Sequence, residues 1–510
     1  MAAASHARGP SDLLDLLVIG GGINGTGIAR DAAGRGLKVL LCERGDLAEF
    51  TSSSSTKLIH GGLRYLEYYE FRLVREALAE RERLLRLAPH IIWPLRFVLP
   101  HDRGLRPAWM LRLGLFLYDH LARLRTLPGS KMVRLRTSPE GAPLQERLTR
   151  GFVYSDCWVE DSRLVVLNAM DARARGAEIR TRTGVESARR EEGGWTAVIR
   201  DAATGQSGTV RAKAVVNAAG PWVGATLGGT LGLGSRAAVR LIKGSHIVVR
   251  RLYEGEQAYI LQQPDSRIVF AIPYERDFTL IGTTDVPYGD EPGPVRISAE
   301  ETQYLCDCIN RSFARRIGPA DVVWSYSGVR PLYDDAAADA SAVTRDYVLD
   351  LDDAAGRLPA LSVFGGKITT YRRLAEHAIE KLRPYFPGLG PAWTGAAPLP
   401  GGAMPGADPE AFLAELSREA PYLPAETARR LARAYGTEAR TIVRGARSLA
   451  DLGEAFDGGL TAAEVDYLVQ REWARTIDDI LWRRSKLGLR TSPESVARLA
   501  AYLTRRAQAA

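Results

Sequence analysis

The sequence predicts an α/β protein built from a Rossmann-like dinucleotide-binding domain, an antiparallel-sheet substrate domain and a C-terminal α-helical cap domain. Three observations carry this. An apolar run at 16–19 breaks into clustered glycines and then a helix-forming stretch, with a second apolar strand after it. The middle of the chain, 242–283, consists of short runs rich in Val, Ile, Phe and Tyr separated by turn signals, the texture of antiparallel strands. Beyond Asp408 the pattern is helical, with start signals at Asp408, Thr461 and Ser492,. A chain of 510 residues is long enough for such a division and for a sizeable core.

The first element is the most informative. Gly20, Gly22 and Gly25 fit G-x-G-x-x-G, in which the first glycine permits the turn, the second lets backbone approach a pyrophosphate and the third lets helix pack on strand. The second strand, 38–42, ends on Glu43, whose carboxylate can hold two ribose hydroxyls and repels a 2′-phosphate. A lone glycine fingerprint arises by chance, but here strand, helix, second strand and acid fall at the right offsets. The polar run 51–56 reads either as a flexible linker or as a loop whose hydroxyls and N–H groups hold phosphate oxygens. It passes straight into Lys57-Leu58-Ile59-His60-Gly61-Gly62-Leu63-Arg64-Tyr65, and an anion site is already implied next door. Thr51, Ser52, Ser53 and Thr56 are therefore candidate cofactor contacts.

Composition narrows the classes. Cys42 and Cys157 stand alone and Cys306 with Cys308 gives C-x-C without a second pair, so the sequence predicts no disulfide framework, no metal site, and thiols that act as small buried apolar groups. A net charge of +8 suits nucleic acid, an anionic membrane surface or an anionic substrate. The first fifteen residues lack the apolar core of a signal peptide,. No run of about 18 apolar residues suggests a membrane span, which leaves lying on a membrane open. The stretch 71–87 reads as a helix ended by Pro89. The stretch 105–125 mixes Leu, Phe, Trp and Met with arginines and a single Asp; it is either an interfacial membrane segment or an ordinary helix packing its apolar stripe inward.

From Gly151 the sequence reads as a loop and then a helix, followed by strands at 178–183, 196–200, 209–211 and 214–217. The last runs into Ala218-Ala219-Gly220-Pro221-Trp222, either a second approach to the dinucleotide, through Gly220, or a plain buried strand. Val185 is counted with the cofactor contacts. One face of the middle strands is expected to cover the reactive part of the cofactor, with Lys243, His246, Arg330 and Arg345 on or beside them; singly, such basic residues are usually solvated surface charge. At 361–371 a strand meets Gly365 and Gly366, then Lys367, and a helix begins near Thr369 or Thr370. A helix N-terminus carries partial positive charge. Pointed at the pyrimidine end of an isoalloxazine, it favours reduced flavin, which makes flavin a better expectation than nicotinamide.

The segments VIGGGINGTGIARDAAGRGL, TSSSSTKLIHGGLRYLEYYEFRLV, YSDCWVEDSRLV, RLIKGSHIVV, IGTTD, YSGVRPL, TRDY, VFGGKITTYR and LWRRSKLG together resemble the FAD-dependent, quinone-linked sn-glycerol-3-phosphate dehydrogenases of aerobic bacteria, in order and over nearly the whole chain. The resemblance implies noncovalent FAD, oxidation of sn-glycerol 3-phosphate to dihydroxyacetone phosphate, electron delivery to membrane quinone, peripheral attachment to the cytoplasmic face of the membrane and a homodimer. It places the substrate pocket at Arg64, Tyr65, His246, Arg330, Arg345 and Lys367. Arg330 and Arg345 suit the phosphate, which guanidinium groups bind bidentately. His246 suits the base, and Lys367 or Arg64 a developing alkoxide. The expected domains are 12–70, 151–235 and 355–383 for FAD, 71–150 and 236–354 for substrate, and 384–510 for the cap. Two alternatives stay open: an oxidase passing electrons to oxygen, and a flavin-containing RNA-binding protein. Against the latter, no interleaved basic and aromatic nucleic-acid module is present, so no nucleic-acid partner is expected.

Overall fold

The computed structural model describes residues 13–102, 107–122, 126–235, 237–334 and 346–508, with all side chains in them except those of Arg64, Glu67 and Tyr68. The first sheet is centred on β1 (Leu14–Ile19), which a tight glycine turn joins to α1 (Ile23–Gly34) and so to β2 (Val39–Cys42). β1 lies parallel to β2 on one side and to Ser207–Asn217 on the other, and Ala360–Gly365 continues the parallel array. These strands are buried on both faces and so read as unbroken apolar runs. α1 packs in one core with the helices Asp161–Ala174 and Tyr371–Leu382, through Ile28, Ala29, Ala32, Leu164, Val165, Leu374 and Ala375.

The stretches 209–211 and 214–217, expected as two strands, are one. Its first half pairs antiparallel with Gly194–Asp201 and its second half parallel with β1.

Among the described residues the second sheet has ten strands. Val239–Arg250 is bracketed by Phe278–Gly282 and Val322–Tyr333, both antiparallel to it. Ile268–Tyr274, Ala258–Gln262, Ile92–His101 and Arg150–Val159 follow outward. The middle strands thus form the antiparallel sheet that the short Val- and Ile-rich runs predict.

The expected loop after Gly151 is instead the strand Arg150–Val159, buried at every residue but the first. Coverage on both faces erases the alternation that marks a half-buried strand, and the polar letters within it are internally satisfied. Asp156 accepts from Arg81 Nη1 at 2.8 Å and from the Tyr118 hydroxyl at 2.7 Å.

The C-terminal helices Pro409–Glu419, Ala462–Glu472 and Pro493–Gln508 begin where their start signals lie, and a further helix, Ala425–Tyr435, starts after Pro424 without one. Asp408 accepts from the Glu410 and Ala411 N–H groups, and Thr461 from that of Glu464. Buried ion pairs dock this C-terminal region on the loops and helix flanking the first sheet: Arg484 on Asp46 at 2.5 Å, Arg182 with Asp479 at 2.6 Å, and Arg163 with Glu472. Buried pairs of this kind fix register more than they add stability. The Pro/Gly stretch 384–406, which reads as a linker, is held against the first sheet's helices: Leu399 is buried, and the Trp393 indole N–H donates to Asp31 O at 3.2 Å across Gly34. All four thiols are free and buried, and burial pushes Cys42 up to about 12. No described helix is long and apolar enough to cross a membrane.

Candidate active site

Between the two sheets runs a cavity of about 2070 Å³, counted with its open mouth. Its floor is the glycine turn. Gly20 has φ +111°, and a Cβ there would stand 2.5 Å from Ala218 O; a Cβ at Gly25 would stand 1.9 Å from Gly20 O. Only a chain without side chains at these points brings the N-terminus of α1 to the cavity. Glu43 closes the end of β2, its carboxylate accepting from Gly21 N at 2.6 Å and Gly45 N at 2.7 Å. Burial raises its pKa, and the two N–H groups oppose that rise.

The Ser-rich run forms the next wall. Ser52 Oγ accepts from Ile23 N at 3.0 Å, taking up one of the free N–H groups at the start of α1,. Thr51 Oγ1 donates to Val329 O at 2.6 Å, tying the run to the second sheet. Gly365 and Gly366, both with positive φ, complete the cradle opposite, and Asn24 Nδ2 donates to Gly365 O at 3.3 Å. Asn24 Oδ1 is buried against the cavity without a partner among the described residues. Backbone-lined walls and a helix N-terminus suit the phosphates of a flat dinucleotide, and the orphaned acceptor suits an N–H or O–H donor on it. The helix after Gly366 starts as a short turn, Ile368–Thr370, and continues as Tyr371–Leu382.

The antiparallel sheet supplies the remaining side chains. His246, on Val239–Arg250, is buried, with Nε2 3.0 Å from Thr56 Oγ1 and its ring stacked on Tyr326 at 4.7 Å. Burial, with help from Lys57 and Arg330, holds its pKa well below the usual imidazole range, so the ring is neutral at pH 7. Arg330 stands opposite Ile242 in the sheet register; its Nη2 donates to Thr284 O at 3.1 Å and pairs with the Asp285 carboxylate. Lys367 Nζ sits 3.8 Å from the centroid of the Tyr65 ring, a cation–π contact,.

Of the sequence candidates, Gly22, Thr51, Ser52, Thr56, Tyr65, Gly220, His246, Arg330, Gly365, Gly366, Lys367 and Thr369 line this one cavity. Gly20, Gly25, Glu43, Ser53 and Thr370 lie behind its walls, and Val185 packs in the core beneath the first sheet. Lys243 turns away, its Nζ paired with Glu301 at 2.8 Å. The Arg64 side chain and Arg345 lie outside the described residues. The structure adds Asn24, Asp285 and Tyr326. Asn24 stands inside the glycine fingerprint, whose spacing marks only glycines; Asp285 ends Ile-Gly-Thr-Thr-Asp without local periodicity to single it out.

A glycine cradle at the ends of parallel strands, opening on an antiparallel sheet that carries polar side chains, defines a FAD-dependent oxidoreductase. The sequence profile described as "FAD dependent oxidoreductase" matches residues 15–372, and that of the "C-terminal domain of alpha-glycerophosphate oxidase" matches 392–507. The chain is 56% identical over 503 residues to a glycerol-3-phosphate dehydrogenase of Pseudomonas aeruginosa, covering 98% of this chain and 97% of that one. It is 54% identical over 472 residues to a D-erythritol 1-phosphate dehydrogenase of Brucella abortus, covering 92% and 94%. The solved glycerol-3-phosphate dehydrogenase from Bacillus halodurans complexed with FAD matches with a TM-score of 0.74 at 28% identity, over 98% of this chain and 95% of that one. The chain belongs to the family of FAD-dependent glycerol-3-phosphate dehydrogenases. Its cofactor is FAD.

Proposed function

We propose that this protein oxidises sn-glycerol 3-phosphate to dihydroxyacetone phosphate and passes the electrons to a membrane quinone. The observation that carries the reading is the single cavity, in which the dinucleotide cradle and His246, Arg330, Lys367 and Tyr65 face the same space. Bound FAD supplies the acceptor for the hydride leaving C2. Arg330 holds the phosphate, with Arg345 as a further cation by family resemblance. Lys367, fixed over Tyr65, stabilises negative charge on the C2 oxygen.

His246 takes the hydroxyl proton at Nε2, the nitrogen already turned to a hydroxyl, that of Thr56. A phosphate dianion beside Arg330 offsets one of the cations that depress His246, so substrate binding moves the imidazole toward a basicity useful for catalysis. The test is one anaerobic titration of the yellow protein. Glycerol 3-phosphate should bleach the flavin within turnover time, and a soluble quinone should restore the colour. D-Erythritol 1-phosphate, run in parallel, decides the polyol, because a relative of nearly equal identity carries that name. Bleaching by neither phosphate refutes the reading, and recovery of colour only with oxygen, with peroxide formed, makes the protein an oxidase.

Membrane attachment is part of the proposal. The helix Ala108–His120 buries Leu115 and Tyr118 on one side and exposes Trp109, Met110, Leu113 and Phe116 on the other. Tyr69, Phe71 and Met132 are exposed as well. The helix packs inward on one side, and the apolar face it presents outward supports the reading of an interfacial segment. Replacing Trp109 and Phe116 by Glu is expected to release the protein from vesicles containing anionic lipid, by about tenfold in partitioning, while anaerobic bleaching by substrate in solution is retained. Unchanged flotation of the double variant with the vesicles rules this face out.

A further inference from the structure

The active-site histidine is held by a buried apparatus that no reacting group touches. The His246 ring stacks on Tyr326 at 4.7 Å and 14°. The Tyr326 hydroxyl donates to Ser55 O at 2.8 Å, and the Lys57 ammonium lies 5.0 Å from the Tyr326 ring centroid. Lys57 is 0% exposed; its Nζ donates to both Asp161 oxygens, at 2.8 and 2.9 Å, and to Ser53 O at 3.1 Å. Asp161 also accepts from Ser55 Oγ at 2.7 Å and Ser162 N at 2.8 Å. The pair thus grips Ser53 and Ser55, and the next residue, Thr56, holds His246 Nε2. From the neighbouring strand, residue 282 leaves the ring room only as glycine, since a Cβ there would stand 2.1 Å from His246 Cδ2.

Stability does not explain this arrangement. Desolvating an ammonium and a carboxylate costs about what their attraction returns, so an apolar pair of the same volume would serve packing as well. Lys57 also sits at φ +60°, a left-handed backbone that strains a non-glycine residue. Strain of this kind persists where the surroundings fix it, and here they fix the loop between cofactor and histidine.

We propose that Tyr326 and the Lys57–Asp161 pair are positioning residues for His246, clamping the imidazole with Nε2 turned to Thr56 and the cavity. The proposal rests on the reading of His246 as the base. The charged groups around the ring are few. The 51–57 loop presents Lys57 with its counter-ion Asp161, and the strand Val322–Tyr333 presents Arg330 with its counter-ion Asp285. The strand Phe278–Gly282 presents only Gly282. Both cations disfavour imidazolium. Lys57→Gln therefore removes one of them and exposes Asp161, which moves the imidazole pKa up. Asp161→Asn leaves Lys57 unopposed and moves it down. His246 works as a base only when neutral, so activity is lost as pH falls through this pKa, and the two variants shift that limb in opposite directions.

The test is the limiting rate of anaerobic flavin reduction at saturating glycerol 3-phosphate, followed from about pH 5 to 9 around the imidazole range. In Lys57→Gln the acid limb should rise by about one unit, a roughly tenfold loss at pH values below both limbs with the alkaline rate within about twofold; in Asp161→Asn it should not rise. Tyr326→Phe, which keeps the stack, should lose less than Tyr326→Leu, which should fall about tenfold or more at every pH. The tyrosine variants disturb no buried charge and carry the test should Lys57→Gln not fold. Limbs that shift together in both charge variants, or a Tyr326→Leu rate equal to wild type, overturn the proposal while the base reading stands. His246→Ala separates the two: if it reduces flavin at the wild-type rate at every pH, the base reading falls and the proposal with it.

Discussion

Gly25→Ala is expected to yield a colourless protein, with bound FAD per chain at least about tenfold lower and a reduced melting temperature. The added methyl would stand 1.9 Å from Gly20 O and 3.0 Å from Gly20 C, both main chain. No rotamer relieves that contact, so α1 must slide away from β1. Overpacking of this order costs about 1–3 kcal/mol, and here the displaced group is the helix N-terminus that lines the proposed FAD cavity. The effect is a clash and not backbone strain, because residue 25 is not among the glycines with positive φ. Gly388→Ala is the control: the site is exposed and its Cβ would meet nothing within 4 Å. It should keep its colour and melting point. The ratio of flavin to protein absorbance and a thermal scan read both variants, and a yellow Gly25→Ala protein of unchanged stability would remove the glycine contact as the determinant of FAD binding.

The glycine fingerprint was legible because its physics is local. Gly20, Gly25, Glu43 and the two strands lie within thirty residues, and each sits where a short-range rule puts it. The short Val-, Ile-, Phe- and Tyr-rich runs between turn signals and the helix caps at Asp408 and Thr461 are local signals too, and they mark the middle strands of the second sheet and the C-terminal helices. Arg150–Val159 escaped because the buried polar residues Ser155 and Asp156 break its apolar run, and coverage on both faces leaves no alternation in its place. Lys57 and Asp161 escaped for another reason: they are 104 residues apart, and neither has a neighbour in sequence that marks it as half of a buried pair. Thr56 and His246 are 190 apart, and only the fold brings a Ser-rich loop under a strand histidine. Sequence pattern thus located the glycine turn that floors the cavity and left the contacts supporting the proposed catalytic side chains to long-range pairing.

Arg330→Ala is expected to lower kcat/KM for glycerol 3-phosphate by about 10³, most of it in KM, with FAD content unchanged. A guanidinium paired with a phosphate dianion makes charge-assisted bonds, and removing one partner of such a pair costs about 2–5 kcal/mol. Part of that loss has a different origin. Arg330 is held by Thr284 O and by the Asp285 carboxylate, and without the guanidinium Asp285 faces the incoming dianion as a like charge. The double variant Arg330→Ala/Asp285→Asn should therefore recover about tenfold over the single one, and Asp285→Asn alone should weaken binding modestly by freeing the guanidinium from its orienting partner. Arg330→Lys should fall between wild type and Ala, since an ammonium keeps the charge and loses the planar fork. Steady-state kinetics on the four proteins close the cycle. If Asp285→Asn makes no difference in the Arg330→Ala background, the carboxylate is not facing the phosphate, and Arg330 binds some other part of the substrate.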